Sequence, residues 1–427
     1  MAKLKVRKVQ KKQIKKVKKS IPKKSEKKLK KKVKIKTKKI LKTKTKLKTK
    51  TKIKIKVKSK LKPNPKLKTK IKPRIKLPVK KILKKKKLIR IKKGVKLERS
   101  ANNPIIEPRH YSWESKATFN PAAFLAGDKI HIIYRAIGDN DTSVLGYASS
   151  HDGYNIDERP TYFVYNRLMG NLPYGRFVAY DSGGGWNGGC EDPRLTLIDG
   201  TVYMVYTAFD GWGSLRIALT SIALADFEKK KWNWEKPILI SPPNEINKNW
   251  VLFPEKINGK FAILHNITPE ILVEYVESLK DFDGTKFIKS RAPDGGRHDS
   301  WDNWVRGVGP SPIKTNLGWL VLYHAMDSAD PDRYKLGAMI LDLKDPTKVL
   351  YRSSSPILEP DEHYENQGWK SGVVYSCGAV VKDGDLLVYY GGADKVACVA
   401  SIKLSELLED LKKNKVIKLK SNKPMKI

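Results

Sequence analysis

GDKIHIIY (127–134) is a Gly-containing turn, an apolar strand and a terminal aromatic, and four later segments repeat that plan. They are DGTVYMVY (199–206), NGKFAILH (258–265), GWLVLY (318–323) and DGDLLVYY (383–390). A turn feeding a short apolar run reads as a strand in an antiparallel meander. The runs end at Tyr134, Tyr206, His265 and Tyr323 and at Tyr389, at intervals of 72, 59, 58 and 66 residues. Most precede a second, more polar strand: SVLGYASS (143–150), LRIALTS (215–221), EILVEYV (270–276), KLGAMILDL (335–343) and VACVASIKL (396–404). A third recurrence is NPIIEP (103–108), KPILIS (236–241) and SPILEP (355–360). One small sheet cannot cover both of its faces, whereas a ring of sheets can. Five repeats therefore predict an all-β fold, a five-bladed β-propeller, with a β-sandwich as the alternative. LSELLEDL (404–411) has apolar residues at i, i+3, i+4 and i+7, which predicts a short C-terminal helix packed outside the ring.

Working outward, composition separates an arm from a body. Residues 1–100 carry 49 Lys and Arg against two acids, Glu26 and Glu98. The rest carries 39 basic and 41 acidic residues and every Phe, Trp and Tyr of the chain. The expected division is a Lys-rich, low-complexity disordered arm over 1–98 and a globular domain over 99–427. In KKVKIKTKKILKTKTKLKTKTKIKIKVKSK (31–60) a β-strand would align its lysines on one face, where they repel. Such an arm suits a polyanion: nucleic acid, an anionic envelope polymer or a membrane surface. A solvated tail is the alternative. Without aromatics the arm has nothing to stack on bases, so sequence-specific recognition is not expected.

No run of about 18 apolar residues is present, so no transmembrane helix is expected. No secretory signal is visible, which makes the cytoplasm the default location, with surface association possible through the arm. Cys190, Cys377 and Cys398 lack CxxC spacing, so neither a disulfide framework nor a zinc site is expected. Neither HExxH, Walker A nor a dinucleotide motif occurs, so no metal and no organic cofactor is expected.

In a propeller the strand ends converge on the axis. The residues following the five runs are Arg135, Thr207, Asn266, His324 and Tyr390, a polar set suited to a ligand. The stretch GGGWNGGCEDPRL (183–195) adds adjacent acids, Glu191 and Asp192, on a strand that also carries Arg194. Alternation along a strand lets only one of the two acids face the axis. A carboxyl group in a confined pocket is pushed up by desolvation and can serve as a general acid. A turn with an Asp–Arg structural pair is the plainer reading.

GCEDPR, LFPEKINGKFAILH (252–265), GWLVLYHA (318–325) and VVYSCGAVVKDGDLLVYYGGAD (373–394) together resemble glycoside hydrolase family 130 over about residues 101–412. That family holds β-mannoside phosphorylases and some β-mannosidases on five-bladed propellers. The resemblance implies that Asp192 is the general acid and that Asp394 holds the sugar of the cleaved residue. It implies sugar contacts from Asn120 and Arg135, with Arg194 beside them. Tyr206 and Trp212 are candidates for an aromatic face under a pyranose, with packing in the core as the alternative.

Phosphorolysis needs several cations converging on a phosphate dianion. Lys248 and His324 match two of the four basic positions of the family's phosphorylases. At a third stands Asn266, and at the fourth Val305, with Arg306 one residue later. A one-residue shift sends a side chain to the other face, so Arg306 serves only if the local backbone departs from a regular strand. The incomplete set favours inverting hydrolysis of β-mannosides, with inorganic phosphate as co-substrate only under the alternative, a β-mannoside phosphorylase releasing mannose 1-phosphate. Hydrolysis needs a base, and Glu270 is preferred over Asp302 because it follows the strand end at Asn266. A non-catalytic carbohydrate-binding propeller is a third possibility.

Overall fold

The computed structural model describes residues 94–166, 188–209, 215–291, 293–414 and 416. The chain divides into two units, Met1–Leu88 and Ile89–Ile427, and the described residues all belong to the second. The arm up to residue 93 and Trp212 lie outside them.

The described residues are nearly all β. After β1 (Glu98–Arg99), the first antiparallel group is β2 (Ala117–Ala126), β3 (Lys129–Ile137) and β4 (Ser143–Ser150). The second is β5 (Gly189–Ile198), β6 (Thr201–Phe209), β7 (Leu215–Ala223) and β8 (Ile238–Leu239), with helix α1 (Leu224–Glu228) after β7. The third is β9 (Val251–Leu252), β10 (Phe261–Asn266) and β11 (Leu272–Val276). The fourth runs from β12 (Trp304–Val308) through β13 (Ile313–Thr315), β14 (Gly318–Asp327) and β15 (Asp330–Leu341) to β16 (Val349–Arg352). Helix α2 (His363–Asn366) leads to the fifth, β17 (Val374–Lys382), β18 (Asp385–Gly392) and β19 (Val396–Lys403), before helix α3 (Leu404–Lys412). The five quoted runs are β3, β6, β10, β14 and β18, each paired with the first strand of its group and so next to it in the sheet. A single parallel pairing, Ser143 with Gly189, joins the first two groups into one seven-stranded sheet.

Both faces of these sheets are apolar, and five clusters cover them. Ile133 and Tyr147 of the first group pack on Met204 and Ala218 of the second. Ile217 of the second meets Trp250 and Ile263 of the third. Phe253 and Leu264 of the third meet Trp319 and Met339 of the fourth. Leu320 and Ile340 of the fourth meet Val388 of the fifth. Leu387 and Tyr389 of the fifth meet Ile130 and Ile132 of the first. Each group thus packs on the next, and the last packs on the first. Neighbours on β2 show why both faces are needed: Ala122 belongs to one cluster and Ala123 to another. The third recurrence forms outer edges. Ile238 pairs with Leu219, Leu358 bridges Leu336, and Ile106 bridges Ala397. As the periodicity predicts, α3 buries Leu407, Leu408 and Leu411, against the cluster of the fourth and fifth groups.

The boundary expected at 98/99 cuts through packed chain. Leu97 is buried and its N–H donates to Ile357 O at 2.8 Å. β1 pairs with β19, and Arg99 Nε lies 2.7 Å from Glu365 Oε1. Composition marks where lysines end, but Leu97 is an apolar side chain that the fifth group needs.

Two of the aromatic run ends, Tyr323 and Tyr134, are anchored by buried acids. Tyr323 Oη donates to Asp302 at 2.7 Å, and Arg297 and Arg352 hold the same carboxylate at 2.8 and 3.0 Å. Tyr134 Oη donates to Glu114 at 2.9 Å, with Arg159 at 2.6 Å. Trp301 and Trp113 stack on these two tyrosines. Asp302 is therefore a structural anchor, which removes it as a candidate base. Tyr390, expected at the axis, is the equivalent anchor of the fifth group, donating to Glu365 at 2.8 Å.

Candidate functional site

The innermost strands are the first of each group, not the second. β2, β5 and β12, each the first strand of its group, are bulged, and these bulges build the site. In β5 the register breaks between Glu191 and Arg194, and Asp192 takes a left-handed backbone with φ 49°. In β2 it breaks between Phe119 and Ala122, and Asn120 takes the same φ of 49°. Asp and Asn tolerate this region best among side-chain-bearing residues. Pro121 and Pro193 follow them, so the two strands use one device. Gly391 on β18 admits Asn120, since a Cβ there would lie 2.1 Å from Asn120 Oδ1.

These strand ends surround a cavity of about 350 Å³. It is lined by Asn120, Arg135, Asp192, Lys248, Arg306 and Asp394, together with Asn249, Tyr334, Tyr375, Lys370, Arg291 and Ile246. The two acids singled out in the sequence thus share one cavity. Asn120 Nδ2 donates to Asp192 Oδ1 at 2.8 Å. Arg135 donates from Nη1 to the same oxygen at 3.1 Å and from Nη2 to Glu191 Oε1 at 2.7 Å. The bulge overrides strict alternation, so both neighbouring carboxylates reach one guanidinium, while only Asp192 lines the cavity. Lys248 Nζ stands 3.9 Å from Glu191 Oε2.

The two lining acids are tuned in opposite directions. Burial pushes Asp192 up, but the charges of Arg135, Arg194 and Lys248 and the Asn120 hydrogen bond outweigh it and hold the group at about 2. Burial also pushes Asp394 up, here to about 6, because Lys370 only partly offsets desolvation and the Asp192 charge adds to it. Desolvation alone predicts a raised Asp192. The guanidiniums, one of them Arg194 in its own motif, reverse that expectation.

Arg306 reaches the cavity because β12 is also bulged. Val305 pairs with Ala325 and Gly307 with His324, leaving Arg306 as the extra residue. Val305 stays in the core, and Arg306 turns inward, donating from Nε to Tyr334 Oη at 2.9 Å. Gly307 has φ 127°, and a Cβ on it would meet Asn249 Nδ2 at 2.7 Å, so the bulge requires glycine.

Four expected site residues lie elsewhere. Glu270 is an exposed acid paired with Arg291 Nη2 at 2.8 Å and does not line the cavity, so it has no confined water to activate. Tyr206 is buried in the cluster between the first and second groups, its hydroxyl 3.1 Å from that of Tyr165. His324 is fully buried, its Nε2 accepting from the Ser376 N–H at 2.9 Å. Desolvation and the nearby Arg194 charge lower its pKa to about 3, which leaves it neutral and unfit to hold an anion by charge. Arg194 lies beneath the cavity lining rather than on it, so it is no sugar contact. Of the five residues following the quoted runs, only Arg135 lines the cavity. Thr207 and Asn266 are buried away from it.

Asn249, Tyr334, Lys370 and Tyr375 were not singled out in the sequence. Asn249 offered a faint signal, an Asn in a turn that proves left-handed at φ 65°. The others come from loops or strand ends that share no motif. Among the described residues no group of three or more His, Cys, Asp or Glu is placed to hold a metal ion, and no helix is long and apolar enough to cross a membrane.

Comparison with known proteins gives a consistent picture. A family model for glycoside hydrolase 130, described as β-1,4-mannooligosaccharide phosphorylase, matches residues 82–413. A 1,2-β-oligomannan phosphorylase of Thermoanaerobacter sp. (strain X514) is 38% identical over 324 residues, covering 73% of this chain and 99% of its own. A β-1,2-mannobiose phosphorylase of the same organism is 35% identical, covering 72% and 97%. The solved β-1,2-mannobiose phosphorylase from Listeria innocua, in complex with β-1,2-mannobiose, superimposes with a TM-score of 0.58 at 25% identity, covering 74% of this chain and 99% of that one.

Proposed function

This chain belongs to glycoside hydrolase family 130 and is an enzyme acting on glycosides, and on that premise we propose that it is an inverting β-mannoside phosphorylase. The substrate class is a β-mannosyl oligosaccharide, with β-1,2 linkages first among candidates because the two relatives above carry that linkage in their names. The observation that carries the reading is the β12 bulge. It supplies Arg306 beside Lys248 and Arg135 in the cavity that holds Asp192. One of the two missing basic positions that favoured hydrolysis is thereby supplied, the other remaining Asn266, while hydrolysis loses the base expected at Glu270. The closed succession of five packed groups supports a five-bladed propeller with this cavity at its axis.

In this reading Asn120 and Asp394 hold the mannosyl residue, and Lys248, Arg306 and Arg135 hold phosphate. A phosphate oxygen attacks the anomeric carbon from the face opposite the leaving oxygen. The C1–O bond to the leaving sugar breaks, a C1–O–P bond forms, and inversion gives α-mannose 1-phosphate. Asp192 delivers a proton to the leaving oxygen through a sugar hydroxyl. Hydrogen phosphate brings the proton with which the shortened sugar departs, so the acid returns to its starting state. Asp192 is ionised in the free cavity. A phosphate dianion beside Arg135 and Lys248 offsets the field that holds it low, so it becomes competent once phosphate binds. The test is to incubate the protein with β-mannobioses of each linkage, with and without phosphate. Consumption only with phosphate supports the proposal, and equal consumption without it refutes it.

For the arm, the proposal is sequence-independent polyanion binding, resting on the 48 cationic side chains of residues 1–98.

A further inference from the structure

Arg194 is fully buried and, although the Asp192 charge lies near it, forms no direct ion pair with a carboxylate among the described residues, yet each of its donating nitrogens is used. Nη1 donates to the backbone carbonyl of Asp192 at 2.6 Å, and Nε to that of Gly309 at 3.3 Å. Nη2 donates to Asn249 Oδ1 at 2.9 Å and to Tyr375 Oη at 3.2 Å. The Tyr375 hydroxyl donates in turn to Asn249 Oδ1. Asn249 then donates from Nδ2 to the Arg306 carbonyl at 3.0 Å. A continuous chain of hydrogen bonds therefore runs from the left-handed Asp192 in one bulge to Arg306 in another.

We propose that Arg194 is a positioning residue that locks the acid-bearing bulge of β5 to the anion-binding bulge of β12, so that Asp192 and the phosphate site are set by one buried guanidinium. The proposal rests on the phosphorylase reading above. A guanidinium suits the task because its planar fork of donors fixes several acceptors at once, which an ammonium cannot do. Both bulges carry backbone conformations outside the regular strand, so each needs an external anchor. Asn249 is the hinge between them, since its side chain both receives from Arg194 and holds the Arg306 carbonyl.

The test compares Arg194→Lys, Arg194→Met and Asn249→Ala with wild type, by turnover and by separate KM values for phosphate and β-mannobiose. The expected result is a fall in kcat of about 100-fold in Arg194→Lys, from misplacement of the acid. Phosphate KM should rise by about tenfold while mannobiose KM moves less than about threefold. In Arg194→Lys/Asn249→Ala, phosphate KM should be no higher than in the worse single variant, since both act through one chain. Added guanidinium should restore part of the turnover of Arg194→Met. A uniform loss of active protein, with both KM values unchanged and no rescue, would overturn the proposal, as would additive effects on phosphate KM. If Arg194→Met does not fold, the Lys variant carries the test. If wild type instead consumes β-mannobiose without phosphate and forms no mannose 1-phosphate, the phosphorylase reading fails. The kcat loss with unchanged mannobiose KM then decides the positioning of Asp192 alone.

Discussion

Arg135 donates to Asp192 Oδ1 at 3.1 Å, so the acid at the centre of the cavity is met by a guanidinium before any ligand arrives. Asn120 binds the same oxygen at 2.8 Å. The pair explains how a buried carboxyl group can stay ionised where desolvation alone would protonate it. It also means that the proton for catalysis depends on what occupies the cavity.

Asp192→Asn keeps the shape of this contact and removes the transferable proton. Turnover should fall by about 100-fold to 10,000-fold. Affinity for a β-mannobiose, measured by calorimetry, should change far less. Retained turnover would remove Asp192 as the acid.

Asp394 is raised from its ordinary value to about 6, so its ionised form opposes folding. The penalty is absent below the unfolded carboxyl value near 4 and complete above about 6. Asp394→Asn should therefore stabilise the ligand-free protein at pH 8 by an amount on the order of 3 kcal/mol. That gain should vanish as pH approaches 4, while sugar binding is lost at every pH. Melting temperatures across pH check both the sign and the window.

Arg306→Ala should raise the KM for phosphate by tenfold or more, on the order of the loss of one charge-assisted contact. The KM for the sugar should stay close to wild type. Glu270→Gln, at an exposed pair with Arg291, should leave kcat unchanged. A large kcat loss in Glu270→Gln would return it to the site.

Asp302 joins Arg297, Arg352 and Tyr323 around one fully buried carboxylate. Burial raises it, but Arg352 and Arg297 outweigh this and hold it below the usual carboxylate range. Its stabilisation is thus present above about pH 4 and lost as pH falls further. Asp302→Ala should cost roughly 3–5 kcal/mol at neutral pH, because the arginines remain without their acid. Chemical denaturation at pH 7 and pH 3.5 should show the deficit shrinking in acid.

Removing residues 1–93 should leave turnover intact and abolish retention on a polyanion column at low salt. Removing residues 1–99 should also lower the melting temperature, because Leu97 and the Arg99–Glu365 pair go with it.

The strands, their grouping by five and the terminal helix were legible because each rests on local periodicity and turn residues. Asp192 and Asp394 were legible through motif resemblance. What was not legible depended on backbone departures from the regular strand. Reading β12 as regular places Val305 in the cavity and Arg306 outside, and the bulge inverts this. Reading the second strands as innermost selects Thr207, Asn266, His324 and Tyr390, whereas the bulged first strands form the cavity wall. Tyr206 could not be told from a sugar platform by its type, because an aromatic ring suits a core equally well.

The most direct measurement runs the reaction on β-1,2-mannobiose in water enriched in oxygen-18, with inorganic phosphate present, and follows the anomeric oxygen of the released mannosyl unit. The phosphorylase account predicts α-mannose 1-phosphate whose anomeric oxygen comes from phosphate, without the heavy isotope. Consumption of the mannobiose to free mannose alone, two per substrate with the heavy oxygen taken up at the anomeric carbon and no mannose 1-phosphate formed, would contradict it.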